Sequence, residues 1–164
     1  MRVGIGALAV MGLAAIGLCY SRVHAQTPAP PEDAARSIWD GVYTNAQANR
    51  GKEQYTEYCA DCHDDQMAGD GLAPPLVGGD FLSNWNGLTV GDLFERIRTT
   101  MPLNKPGSLA RNVNCDILAY IFSFNKFPSG QTELPHDTPT LNQIRIQTFK
   151  PDQVSKGDRS GKGN

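Results

Sequence analysis

The sequence has no uninterrupted apolar run of the roughly 20 residues that a membrane-spanning helix needs. Its longest such stretch, residues 3–18, is about 16 residues long, rich in Gly and Ala and free of charge. It has no internal repeat, which excludes a solenoid, and no segment alternates strongly enough to build a sheet. It has no basic excess: 15 Lys and Arg stand against 17 Asp and Glu, so nucleic acid is not the expected partner. It also lacks a cysteine pattern that pairs into a disulfide framework, although an even number in an exported chain would normally suggest one. There are four, and none of them has a natural mate. Cys19 lies in the N-terminal apolar segment, Cys59 and Cys62 stand close together with a histidine after them, and Cys115 is alone.

What is present begins with an export signal. Arg2 precedes the apolar stretch and Val23-His24-Ala25 offers small residues for cleavage, so residues 1–25 read as a signal peptide with Gln26 as the mature N-terminus. Bulky Leu18 before Cys19 argues against a lipid-anchored cysteine. Loss of Arg2 and Arg22 reduces the 15 basic residues to 13 against an unchanged 17 acidic ones, a mature charge of about −4. The expected location is the periplasm, with no membrane span after cleavage.

Residues 26–43 are expected to be a flexible leader, Pro- and Ala-rich at its start. Residues 44–130 form the folded domain, and 131–164 an extended, largely disordered tail, with 141–149 as a short strap on the core surface. Three helices are predicted. The first covers roughly 44–60, with Gly51 and Tyr55 on one face. The second covers 90–99, N-capped by Thr89, with Leu93, Phe94 and Ile97 as its apolar stripe. The third covers 112–125, with Ile117, Leu118, Ile121 and Phe122 buried and Pro128 beyond its end. Cys115 reads as a small core residue of this last helix. The fold class is therefore all-α. The 28 residues 61–88 between the first two helices are rich in Gly, Pro and Asp, too long a loop for a compact domain unless something holds them.

Cys59-Ala60-Asp61-Cys62-His63 is C-x-x-C-H, the attachment signal for c-type haem. Two thiols three positions apart reach the two vinyl groups of one porphyrin, and the following histidine is placed to bind its iron. A thioredoxin-like pair needs a βαβ context that is missing. A zinc site needs further ligands, and only Cys115, His24 and His136 remain. A disulfide leaves His63 unexplained. One covalent haem also answers the loop problem, because the long segment can wrap the ring.

For the second axial ligand the candidates are Met67, Met101 and His136, with an open position as the remaining alternative. Met67 is too close to His63 to pass round the ring. His136 sits in the tail, where ordering it costs entropy. Met101 follows the second helix and precedes Pro102, which stops the helix and constrains the turn. Met101 is the expected ligand, and His/Met ligation implies a fairly high reduction potential.

On these residues the chain resembles the class I (mitochondrial-type) cytochrome c domain over about 44–128. Gly51 and Tyr55 match the Gly and aromatic through which that family's first and last helices cross, with Leu118, Tyr120 and Ile121 on the partner helix. Pro74-Pro75-Leu76-Val77-Gly78 matches its Pro-x-Leu-x-Gly loop, which implies Pro74 as carbonyl acceptor for the ligand histidine. By resemblance to some relatives, Trp85 and Asn86 are candidates to hydrogen-bond a haem propionate, with a plain core Trp as the equal alternative. The run from Ile97 to Leu109 and the later NKFPSG resemble periplasmic bacterial cytochromes that serve quinoprotein alcohol or sulfite dehydrogenases. Asp64, where many bacterial relatives have Gly, and Cys115 depart from the pattern.

The expected function is one-electron transfer in a respiratory chain, with no catalytic residues. A periplasmic dehydrogenase is the expected donor, and an oxidase or another cytochrome the acceptor. A haem subunit fixed within a dehydrogenase complex is the alternative. A haem enzyme with an open iron site is less favoured, since no histidine is placed as a distal acid–base group. Asp61, Asp64, Asp65 and Asp70 form an acidic block, either a solvated loop or a docking patch for a basic partner.

Overall fold

A computed structural model describes residues 36–150. The expected signal peptide 1–25, the first ten residues of the leader and the polar end 151–164 lie outside the described residues. Six helices are described: α1 (Asn45–Tyr58), α2 (Ala60–His63), α3 (Gly78–Trp85), α4 (Val90–Thr100), α5 (Arg111–Phe124) and α6 (Thr138–Leu141). Two two-residue strands, β1 (Arg36–Ser37) and β2 (Ile144–Arg145), pair in parallel. The fold is all-α in substance. Among the described residues no helix is long and apolar enough to cross a membrane.

The helix starts follow local chemistry. Thr44 accepts a hydrogen bond from Gln47 N and opens α1. Thr89 accepts from Asp92 N while Asp92 Oδ2 accepts from Thr89 N, so a reciprocal cap opens α4. Leu93 and Phe94 of α4 are buried, with Ile97 packed beside them.

The central packing is α1 against α5, and Gly51 makes it possible. A Cβ at Gly51 would lie 1.8 Å from the Asp116 carbonyl oxygen, so only glycine lets the two backbones approach this closely. One turn later Tyr55 packs edge-on against Tyr120, ring centroids 5.5 Å apart. Arg50 crosses the same seam and pairs with Asp116 of α5 at 3.0 Å and with Glu133 at 2.9 Å. Cys115 is buried in α5, and its thiol donates to Pro135 O at 3.1 Å.

Three regions differ from the sequence expectation. Residues 36–43 are not a free leader, because Ile38, Val42 and Tyr43 are buried and Tyr43 Oη donates to Phe127 O. Residues 78–85 form a helix within the predicted loop, with Phe81 buried and Leu82 and Trp85 packed alongside. Residues 131–150 are not a disordered tail. Leu134, Leu141, Ile144 and Ile146 are all buried. Polar groups fasten the backbone between them: Gln47 exchanges two hydrogen bonds with Leu134, Gly87 N donates to Ile146 O, and Trp39 Nε1 donates to Gln147 O. The strap expected over 141–149 therefore starts earlier and penetrates deeper.

Candidate functional site

Helix α1 ends at Tyr58, and Cys59 N donates to Tyr55 O as its last bond. The chain then makes one further turn, α2. Cys62 N and His63 N both donate to Cys59 O, at 3.2 and 3.0 Å. This turn puts Cys59, Cys62 and His63 three and four positions apart on one side of a helix. The two cysteines form no disulfide; Cys59 is half-buried and Cys62 exposed. Burial pushes the Cys59 thiol up to about 11, with Cys62 a lesser cause. A redox-active C-x-x-C pair works by lowering a thiol pKa, so this environment opposes the thioredoxin-like alternative.

His63 is buried, 8% exposed, and its Nδ1 lies 2.9 Å from Pro74 O. A carbonyl oxygen only accepts, so Nδ1 carries the proton and Nε2 keeps its lone pair for a metal. His63 and Pro74 thus meet through this one hydrogen bond.

Asp64, directly after His63, has φ 54° and ψ 171°, a region that glycine occupies readily and other residues do not. That explains why a Gly suits this position, and the structure shows what holds an Asp there instead. Asp64 Oδ1 accepts from Gln66 N and Ala68 N, and Asp64 O accepts from Tyr55 Oη at 2.8 Å and from Met67 N at 3.2 Å. Burial raises the Tyr55 phenol well above its ordinary value, so it stays a donor. Further on, Asp70 Oδ1 accepts from Ala73 N and Leu72 N, which hold its carboxyl below the usual range, Ala73 foremost. Two members of the acidic block are thus tied into the loop, a local role that its charge pattern does not reveal.

Met67 is 0% exposed and packed in the core, so its sulfur fills space within the protein. Met101 caps the C-terminus of α4, its N–H donating to Ile97 O, and its side chain is half-buried. A cleft of about 420 Å³ is lined by Tyr58, Pro102, Asn104, Lys105, Ser108 and Leu109. It is bounded by the residue before Cys59 and by those after Met101, while neither His63 nor Met101 itself lines it. Leu72 and Leu103, in the loops after His63 and after Met101, are 95% and 76% exposed. His136 is exposed on the strap, with its carbonyl engaged by Arg111 Nε. Trp85 is half-buried, and its indole N–H has no hydrogen-bond partner among the described residues. Asn86 Oδ1 is taken by Thr148 N.

The donor set fits a covalent haem. Two unpaired thiols and a buried imidazole whose Nε2 lone pair is unengaged among the described residues share one helical turn, and a thioether stands at the end of another helix. Among the described residues no group of three or more His, Cys, Asp or Glu side chains forms a metal cage, so a zinc site lacks its ligands.

Residues 46–121 match the family model described as cytochrome C oxidase, cbb3-type, subunit III. A search of curated proteins finds no match. Among solved structures, the crystal structure of the sulfane dehydrogenase SoxCD from Paracoccus pantotrophus is similar, with 18% identity over 87% of this chain and 80% of that chain and a TM-score of 0.47. The family match covers nearly all of α1, the Cys59–His63 turn, α4 with Met101 and most of α5, the elements that build the site, so over these residues the chain is similar to that cytochrome family.

Proposed function

We propose that the protein is a one-electron carrier built around a single haem c. A cytochrome c domain implies covalently held haem; in this reading Cys59 and Cys62 form the two thioethers, and His63 and Met101 are the axial ligands. Haem iron so ligated cycles between ferric and ferrous states, taking up and releasing one electron at a time. The chain's own contribution is to hold the ligands. Pro74 fixes the His63 tautomer and ring plane. Helix α4, stopped at Met101, presents the sulfur. Trp85, whose N–H has no partner among the described residues, is the donor for a propionate.

The observation that carries the reading is the lone-pair nitrogen of His63, set by Pro74, beside two unpaired thiols on the same turn. The protein acts in the periplasm, exported by residues 1–25. A periplasmic dehydrogenase supplies the electron, and an oxidase or another cytochrome of the respiratory chain receives it. A haem subunit fixed in a dehydrogenase complex would use the same residues, and the exposed Leu72 and Leu103 are the surface it would cover. Asp61 and Asp65 remain for docking a basic partner.

Optical spectra of both oxidation states, with and without CO and cyanide, test the assignment. A carrier with both axial positions filled shows a weak near-infrared iron–sulfur band when oxidised and no change with CO when reduced. Prompt CO binding to the ferrous protein would point to an open site and an enzyme. Gel filtration of native extract separates the free carrier from the fixed subunit.

A further inference from the structure

Between His63 and Leu76 the chain closes a ring of contacts on itself. His63 Nδ1 donates to Pro74 O, and Gly69 N donates back to His63 O at 3.1 Å. Gly69, with φ +75°, lies against the returning chain: a Cβ there would come 2.2 Å from Ala73 O and 3.1 Å from the Pro74 carbonyl carbon. Leu76 N donates to Met67 O at 2.8 Å, and buried Met67 anchors the loop from below. The direction of the Pro74 carbonyl is set by the residues just before it. Asp70 Oδ1 accepts from Leu72 N at 2.9 Å and from Ala73 N at 2.7 Å, a side-chain-closed turn, and the proline ring fixes the next φ.

We propose that Asp70 is a positioning residue for the His63 imidazole: by capping Leu72 and Ala73 it aims the Pro74 carbonyl at Nδ1 and so tunes the donor strength of Nε2. This rests on His63 being the iron ligand. A carbonyl that accepts from Nδ1–H makes the imidazole more basic, and a more basic ligand favours ferric iron and lowers the reduction potential. A nearby negative charge would lower the potential too, so geometry and charge must be separated.

Two conservative variants do this in the holoprotein. Asp70→Asn keeps an acceptor oxygen in place and removes the charge. Asp70→Glu keeps the charge but carries the carboxylate one methylene farther from the two N–H groups. The readouts are the reduction potential and the exchange rate of the His63 Nδ1 proton by NMR. Asp70→Glu is expected to raise the potential and to speed exchange about fivefold, the factor that one hydrogen bond of ordinary net strength is worth. Asp70→Asn is expected to keep wild-type exchange and, through loss of its charge alone, to raise the potential less than Asp70→Glu does. A larger rise in potential for Asp70→Asn than for Asp70→Glu, or wild-type exchange in Asp70→Glu, overturns the role of Asp70. A colourless wild-type protein overturns both this role and the haem reading, whereas red protein with the reversed order overturns this role alone.

Discussion

The two sides of the candidate site are held in different ways. On the His63 side the chain locks itself: Pro74, Asp64, Gly69, Tyr55 and Asp70 all bond within one loop, and Met67 anchors it in the core. On the Met101 side little grips the loop that follows. Lys105 N donates to Pro102 O and Ser108 N to Lys105 O, Asn114 Nδ2 holds Leu109 O, and residues 103–108 are exposed. Met101 owes its position to α4, and α4 is backed by the strap. Asn142 Oδ1 lies where a Cβ on Gly91 would fall, within 1.9 Å, and Thr138 Oγ1 donates to Glu95 at 2.6 Å. The imidazole side is pre-organised by local bonds, while the sulfur side depends on tertiary support. Ligand exchange and unfolding should therefore start at Met101.

Removing either proposed ligand sharpens this contrast. His63→Ala is expected to prevent accumulation of stable holoprotein, because the locked side loses its proposed metal donor; haem staining of whole-cell extract checks it. Met101→Ala is expected to keep covalent haem, lose the near-infrared iron–sulfur band and lower the reduction potential, measured by optical redox titration. If the band survives, the sulfur belongs to another residue.

A weaker perturbation acts through the strap. Leu141→Ala empties a fully buried site and should cost about 2–5 kcal/mol in urea unfolding. Loss of the near-infrared band should precede loss of the main haem absorption along the denaturant series. Coincident losses would mean that the two sides are equally supported.

Acid gives the smallest and most graded effect. Arg50 holds the Glu133 carboxyl below its ordinary 4.5, Arg98 and then Thr138 do the same for Glu95, and the Thr140 hydroxyl leads in lowering Asp137. Each lowered carboxylate contributes stability above its unfolded value, and that contribution disappears as pH falls through the folded value. All three fasten the strap or its supports. The strap should therefore loosen below about pH 4.5 before the helical core melts, seen as a change in Trp39 fluorescence as its bond to Gln147 O is lost. A Trp39 change that coincides with loss of far-UV helix signal would contradict this order.

Much of this was legible from local pattern. Thr89 and the stripe of α4 locate that helix, Gly51 and Tyr55 locate the α1–α5 crossing, and the spacing of Cys59, Cys62 and His63 puts them on one turn. The strap was expected over 141–149, but its earlier start and its depth were hidden because its bonds join residues far apart: Gln47 to Leu134, Trp39 to Gln147, Asn86 to Thr148. Its four buried residues are too scattered to show a period. Helix α3 was hidden because it is only eight residues long and opens on two glycines. Asp64 and Asp70 read as surface charge in the sequence, since the backbone N–H groups they cap are defined only once the loop has closed. Helices follow from short-range rules here, whereas the tuning of the site depends on long-range and side-chain-to-backbone bonds.

The most direct test of a covalent haem is the intact mass of the purified protein, taken together with its reduced spectrum in alkaline pyridine. A red protein heavier than its polypeptide by one haem is expected, with that mass lost only when Cys59 and Cys62 are both replaced. A colourless protein with the mass of the bare chain would contradict it.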